Sequence, residues 1–154
     1  MTDDLTPAAY ADAIGAARRR LMHFVRLCPD DRWRSAPVPG DPRPVGVIAD
    51  HVAHSYEYLA GWIGEVAAGQ LVEASTELVD DLNAGHAAGA GDLTPEHVAS
   101  HLRSSGDALI ALVAGLEPGQ LDLDGGRIRR LATIAARHAD GHLAEFEAGP
   151  DAAS

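Results

Sequence analysis

The sequence predicts an all-α protein built as a four-helix bundle. Three observations carry this: four long segments with apolar residues at helical spacing, capping and breaking residues at their ends, and no alternating run long enough for a strand. The 154 residues suit a single domain, taken as residues 1–154, large enough to bury a core without disulfides or a structural metal.

Each element has its own punctuation. Thr6 and Pro7 read as the N-cap and first residue of a helix that runs to about Leu27, before CPDDRW. The stretch DRWRSAPVP is then expected to be an irregular crossover, and a second helix runs from about Pro44 to about Ala68, stopped by Gly69. Next comes QLVEASTELVDDLNAGHAAGAGD, which predicts a short helix from Ser75 to His86 followed by a mobile glycine-alanine segment. Thr94 and Pro95 repeat the opening device for a third long helix, ending near Gly115. The fourth follows DGG, from about Arg127 to about Ala148, before Gly149, Pro150 and the short tail GPDAAS. Aromatic residues make up only 5% while alanine and glycine abound, so these helices are expected to pack through small side chains.

Charge narrows the function. All twelve basic residues are arginine, and against 23 acids they leave a net charge of -11, which disfavours a nucleic-acid partner because a phosphate backbone needs a basic face. No apolar run approaches the roughly 18 residues of a membrane span, and MTDDLTPAAY lacks the basic and apolar regions of a signal peptide. A cytoplasmic protein with small-molecule partners is expected. The single cysteine, Cys28, cannot form an internal disulfide and is read as a structural thiol.

Eight histidines occur, and a helix turns about 100° per residue, so each can be compared with the apolar stripe of its own helix. In the last helix the stripe is Ile128, Leu131, Ile134, Ala135 and Phe146, and His138 and His142 fall near its centre. His97 and His101 have the same spacing but lie away from the stripe of Val98, Leu102, Leu109 and Val113, so that pair is expected at the surface. In the second helix, with its stripe of Ile48, Val52, Leu59, Ile63 and Val66, His51 sits at the edge beside Ser55, Tyr58 and Trp62, whereas His54 lies nearly opposite. Three buried imidazoles need partners, and a divalent metal satisfies one nitrogen from each ring while keeping a position open. His51, His138 and His142 are therefore the candidate metal ligands. Glu145 is a candidate acceptor behind them, and Asp50 and Asp140 are weaker ones. Asn83 in DDLNAG is expected to cap a helix or to contact the site.

The segments VGVIADHVAHSYEYLAGW, LVDDLNAG, LTPEHVASHLRSSGDALIALVAGL and ARHADGHLAEF, in this order across nearly the whole chain, resemble the DinB/YfiT-like superfamily. Within it the chain is most similar to the metal-binding domain of mycothiol-dependent maleylpyruvate isomerases. The resemblance implies a four-helix bundle with a long crossover between helices 2 and 3, and a divalent metal held by one histidine of the second helix and an H-x3-H pair of the last. Those positions fall on His51, His138 and His142. Zinc is the first expectation, with nickel or iron as other ions that three imidazoles suit. Two features depart from the pattern: Leu143, Ala144 and Glu145 stand where many relatives carry a basic H-R-G-Q-like run, and the chain has no length for the isomerase's additional domain. The isomerase's own reaction is therefore not carried over.

Two classes of function follow. The first is a metal-dependent enzyme of the thiol-transferase type, an S-transferase, isomerase or lyase, that activates a low-molecular-weight thiol such as mycothiol or bacillithiol, or water, for attack on a small electrophile. Tyr58 and Trp62, one and two turns beyond His51, are then expected to line the thiol or substrate pocket. The second is a non-catalytic bundle that binds a ligand or serves a stress response, its histidines kept as structural polar groups. An alanine-rich outer face is compatible with a homodimer in either case.

Overall fold

In the computed structural model, residues 5–149 are described, and the readings that concern residues 1–4, Pro150 and the rest of the tail fall outside them. The elements are α1 (Pro7–Leu27), α2 (Asp30–Trp33), α3 (Val45–Ala67), α4 (Thr76–Gly89), α5 (Pro95–Ala114), a 3₁₀ turn over Pro118–Asp122, and α6 (Leu123–Ala148). No strand occurs among the described residues, and no helix is long and apolar enough to cross a membrane. The all-α bundle expected from the sequence is present, formed by α1, α3, α5 and α6. α1 and α3 each pack on both α5 and α6 and lie diagonally opposite one another, so the order around the bundle is α1, α5, α3, α6. The long crossover connects α3 to α5 and holds α4, which packs on α3.

The helix starts follow from their caps. Thr6 and Thr94 accept hydrogen bonds from the backbone N–H groups of Ala9 and His97, with proline at the first helical position after each. Ser75 does the same for Leu78 at the head of α4. Before α6 the chain turns through Asp124, Gly125 and Gly126, whose φ values of 50°, 64° and 83° are left-handed, so the regular helix begins at about Arg127 as the DGG motif predicts.

The core is mostly aliphatic. Ile14, Leu21, Ile48, Leu59, Ile63, Leu102, Leu109 and Ile128 are fully buried, each contributing roughly 1.5–3 kcal/mol by removal from water. Along the middle of α6 the fully buried residues are Ala132, Ala135 and Ala139, small enough to let that helix approach both neighbours, with Ile128 and Phe146 buried toward its ends. Ile134, expected in the buried stripe, is instead 53% exposed. α6 buries a strip between α1 and α3, and the alanines rather than the larger isoleucine occupy its centre.

Two connections are more ordered than expected. DRWRSAPVP begins within the single turn α2, which buries Trp33 and lets its indole N–H donate to the carbonyl of Leu93 at 2.7 Å. The short helix continues past His86 to Gly89, so part of the expected mobile segment is helical. Trp33 also fixes the start of α3: a Cβ on Gly46 would stand 2.6 Å from the indole carbon Cε2. Gly46→Ala is expected to displace the ring and destabilise the protein by about 1–3 kcal/mol, the usual cost of overpacking. Urea denaturation checks this through an earlier midpoint at unchanged slope.

Candidate metal centre

Three histidines from two neighbouring helices meet in the interior. His51 on α3 and His138 and His142 on α6 place one ring nitrogen each within 4.8 Å of the other two. His138 Nε2 lies 3.1 Å from His51 Nε2 and 3.0 Å from His142 Nε2. Four-residue spacing stacks His138 and His142 on one face of α6, and the packing of α6 on α3 brings His51 to the same point.

A hydrogen bond behind one ring fixes its tautomer, and a longer contact behind a second favours one. Ser55 spends its one hydroxyl proton on the carbonyl of Val52 at 2.6 Å, so toward His138 Nδ1, 2.8 Å away, its oxygen is an acceptor. His138 therefore carries its proton on Nδ1 and turns a lone pair on Nε2 to the centre. His142 Nδ1 faces the Glu145 carboxylate at 3.3 Å, a contact that likewise favours a proton on Nδ1 and a lone pair on Nε2. Two lone pairs 3.0 Å apart repel unless a proton or a cation lies between them. A tetrahedral ion with metal–nitrogen bonds of about 2.0–2.1 Å sets its ligand nitrogens about 3.3 Å apart, close to the two spacings from His138 and within reach of the third, so the donor set fits a divalent metal.

Electrostatics agree with a neutral, electron-pair-donating set. Burial, reinforced by His138 and His142, pushes the His51 imidazole down to about 2. Burial, with His142 and Arg43 adding to it, pushes His138 down to about 4. Burial also lowers His142, with Glu145 opposing the shift. Between pH 6.5 and 4 the unfolded chain thus binds protons that native His138 refuses, so in metal-free protein its contribution to stability is full above pH 6.5 and is lost as pH falls toward 4. The expected result in chelator is that wild type loses about 1–2 kcal/mol more than His138→Leu between pH 7 and pH 5, measured by urea midpoints.

The centre borders a cavity at the surface of α6. This cavity, of about 410 Å³, is walled by His138 and His142 together with Thr133, Ile134, Arg137, Gly141 and Glu145. The exposure of Ile134 is thereby placed: it is an apolar wall of that cavity. Tyr58 and Trp62 are not among its walls and form a ladder with His54, with ring centroids 5.7 Å apart for His54 and Tyr58 and 4.9 Å for Tyr58 and Trp62.

Several sequence readings change here. His97 is exposed as expected, but His101 is half-buried and held between two carboxylates, its Nδ1 at 2.7 Å from Asp50 Oδ1 and its Nε2 against Glu57. A position away from its own helix stripe here faces α3, where those carboxylates lie. Asp50 accepts from His101 and from His86, the latter at 2.8 Å, and not from any of the three clustered rings. Asp140 pairs with Arg20 across to α1. Asn83 lies inside α4, whose cap is Ser75, so it caps nothing. Cys28 is partly buried, and burial raises its pKa, as suits a structural thiol. Sequence reasoning missed Ser55 as a partner of His138, although its place four residues after His51 puts it on the same face. It also missed His86, whose signal is faint: it shares with Val79 and Leu82 a face of α4 that is only half-buried.

A model of the DinB superfamily matches residues 13–146, a span that takes in all three clustered histidines. Neither the curated proteins nor the solved structures yield a match.

Proposed function

The chain belongs to the DinB superfamily, and from that premise we propose that it is a divalent-metal-dependent enzyme of the thiol-transferase type. The observation that carries the reading is the convergence of His51, His138 and His142 on one point, with the tautomer of His138 fixed by Ser55 so that its lone pair faces inward. Zinc is the metal that three neutral imidazoles with an open position suit best, and nickel or iron are the alternatives. A bound divalent ion supplies Lewis acidity, lowering the pKa of a thiol or water in the open position to near neutrality.

The chain's own residues do the rest. Ser55 and Glu145 orient the rings, which limits the reorganisation that catalysis would otherwise require. The cavity beside His138 and His142 admits a small electrophile, Ile134 offers it an apolar contact, and Arg137 offers a cation to an acidic substituent. A low-molecular-weight thiol, mycothiol or bacillithiol by chemical class, gives up its S–H proton to solvent at the mouth. Its sulfur then bonds to the electrophilic carbon, whose leaving group departs with the bonding pair. Tyr58 and Trp62, with His54, would serve the same reading only as contacts for the distal part of the thiol.

The test is a screen of small electrophiles with each thiol on zinc-loaded protein, with and without chelator. Turnover is expected to need both metal and thiol. Turnover that survives complete chelation, or that no thiol or water supports in loaded protein, contradicts the proposal.

A further inference from the structure

Asp50 is a buried carboxylate at the residue next to His51, and both of its oxygens are engaged by histidines outside the candidate metal centre. A carboxylate only accepts, so the 2.8 Å contact with His86 is a bond donated by His86 Nε2–H. In the neutral ring that leaves a lone pair on His86 Nδ1, and this atom is buried with no hydrogen-bond partner among the described residues. His51 presents the complementary problem. When its Nε2, which faces the other two rings, gives its lone pair to a metal, its proton sits on Nδ1, which is also buried without a partner among the described residues.

An unpaired buried donor and an unpaired buried acceptor are each costly, and here they belong to neighbouring rings. The His51 and His86 ring centroids are 6.2 Å apart, too far for a direct bond between nitrogens, so a link between the two rings requires one bridging water. The His86 ring is held for this contact on two sides, by Asp50 and by the ring of His54, stacked at 5.2 Å with an interplanar angle of 18°. His101, clamped between Asp50 and Glu57, anchors the carboxylate from the other side.

We propose that Asp50 and His86 are positioning residues for the metal centre: Asp50 orients His86, and His86 Nδ1, through one water, accepts the Nδ1–H of His51 and so aims His51 Nε2 at the metal. α4, whose half-buried face packs on α3, is thereby assigned a task, that of delivering His86. The inference rests on the metal-site reading above.

The experiment compares wild type, His86→Leu and His86→Gln by chelator-competition titration with zinc, by the absorption spectrum of the cobalt-loaded proteins, and by NMR of imidazole N–H protons at saturating zinc. Leucine fills the space with neither donor nor acceptor, whereas the glutamine amide can both donate to Asp50 and accept from the water. His86→Leu is expected to weaken zinc binding about 10–100-fold, to alter the cobalt spectrum and to lose the slowly exchanging His51 Nδ1–H resonance. His86→Gln is expected to restore all three. Wild-type zinc affinity and cobalt spectrum in His86→Leu would overturn the positioning role alone. Absence of zinc and cobalt binding in wild type would overturn both this role and the metal site. A His86→Leu variant that merely loosens α4 would show a lower Tm without the change in cobalt spectrum, and that result too would count against the proposal.

Discussion

Zinc added to metal-free protein is expected to raise the melting temperature of wild type by roughly 8–16 °C, and to leave His142→Ala nearly unmoved. A ligand that binds only the native state stabilises it by about 4 kcal/mol at a thousand times its Kd, and for a chain of this length each kcal/mol moves Tm by roughly 2–4 °C. His142 is the clean residue to remove. It sits one turn beyond His138 at the edge of the cavity, and its side chain is more accessible than a core residue, so alanine there removes a ligand without opening the aliphatic core. The shift should shrink to under about 3 °C in the variant, because two imidazoles hold the ion far more weakly than three. Differential scanning calorimetry, run with and without chelator on both proteins, reads the effect. Equal shifts in the two proteins would place the zinc elsewhere.

The second large effect concerns turnover. His138→Ala is expected to lower thiol-dependent conversion of a small electrophile by more than about 100-fold, since it removes the nitrogen nearest to both other ligands and with it the ion. Ser55→Ala should be milder, about 10–100-fold in metal affinity, because His138 would keep its place but lose the acceptor that holds its proton on Nδ1. With saturating zinc much of the Ser55→Ala loss should return, and that of His138→Ala should not. Steady-state assays at several zinc concentrations separate the two. A His138→Ala protein as active as wild type would sink the proposed chemistry.

How far these residues are legible in the sequence depends on the length and regularity of their helices. Thr6-Pro7 and Thr94-Pro95 announce α1 and α5 because cap chemistry is local. His51, His138 and His142 can be turned inward on a helical wheel because α3 and α6 are long and carry pronounced apolar stripes. Ile134 misleads for a physical reason. A wheel weights bulk, whereas the tight centre of α6 selects Ala132, Ala135 and Ala139, which leaves the larger side chain to the cavity wall. His101 misleads because its environment belongs to another helix: Asp50 and Glu57 of α3 turn a flank position into a hydrogen-bonded one. The carboxylates outweigh the cost of burying that ring and raise its pKa. His86 is hard to read because the face it shares with Val79 and Leu82 on α4 is short and only half-buried, and its contacts with Asp50 and His54 lie on another helix.

The central claim is that His51, His138 and His142 hold one divalent ion. Elemental analysis of the protein, purified without a polyhistidine tag and loaded with zinc before exhaustive desalting, tests it most directly. About one ion per chain is expected in wild type, and close to none in His138→Ala. A wild-type protein that emerges without divalent metal, or a His138→Ala protein that retains a full equivalent, would contradict the account.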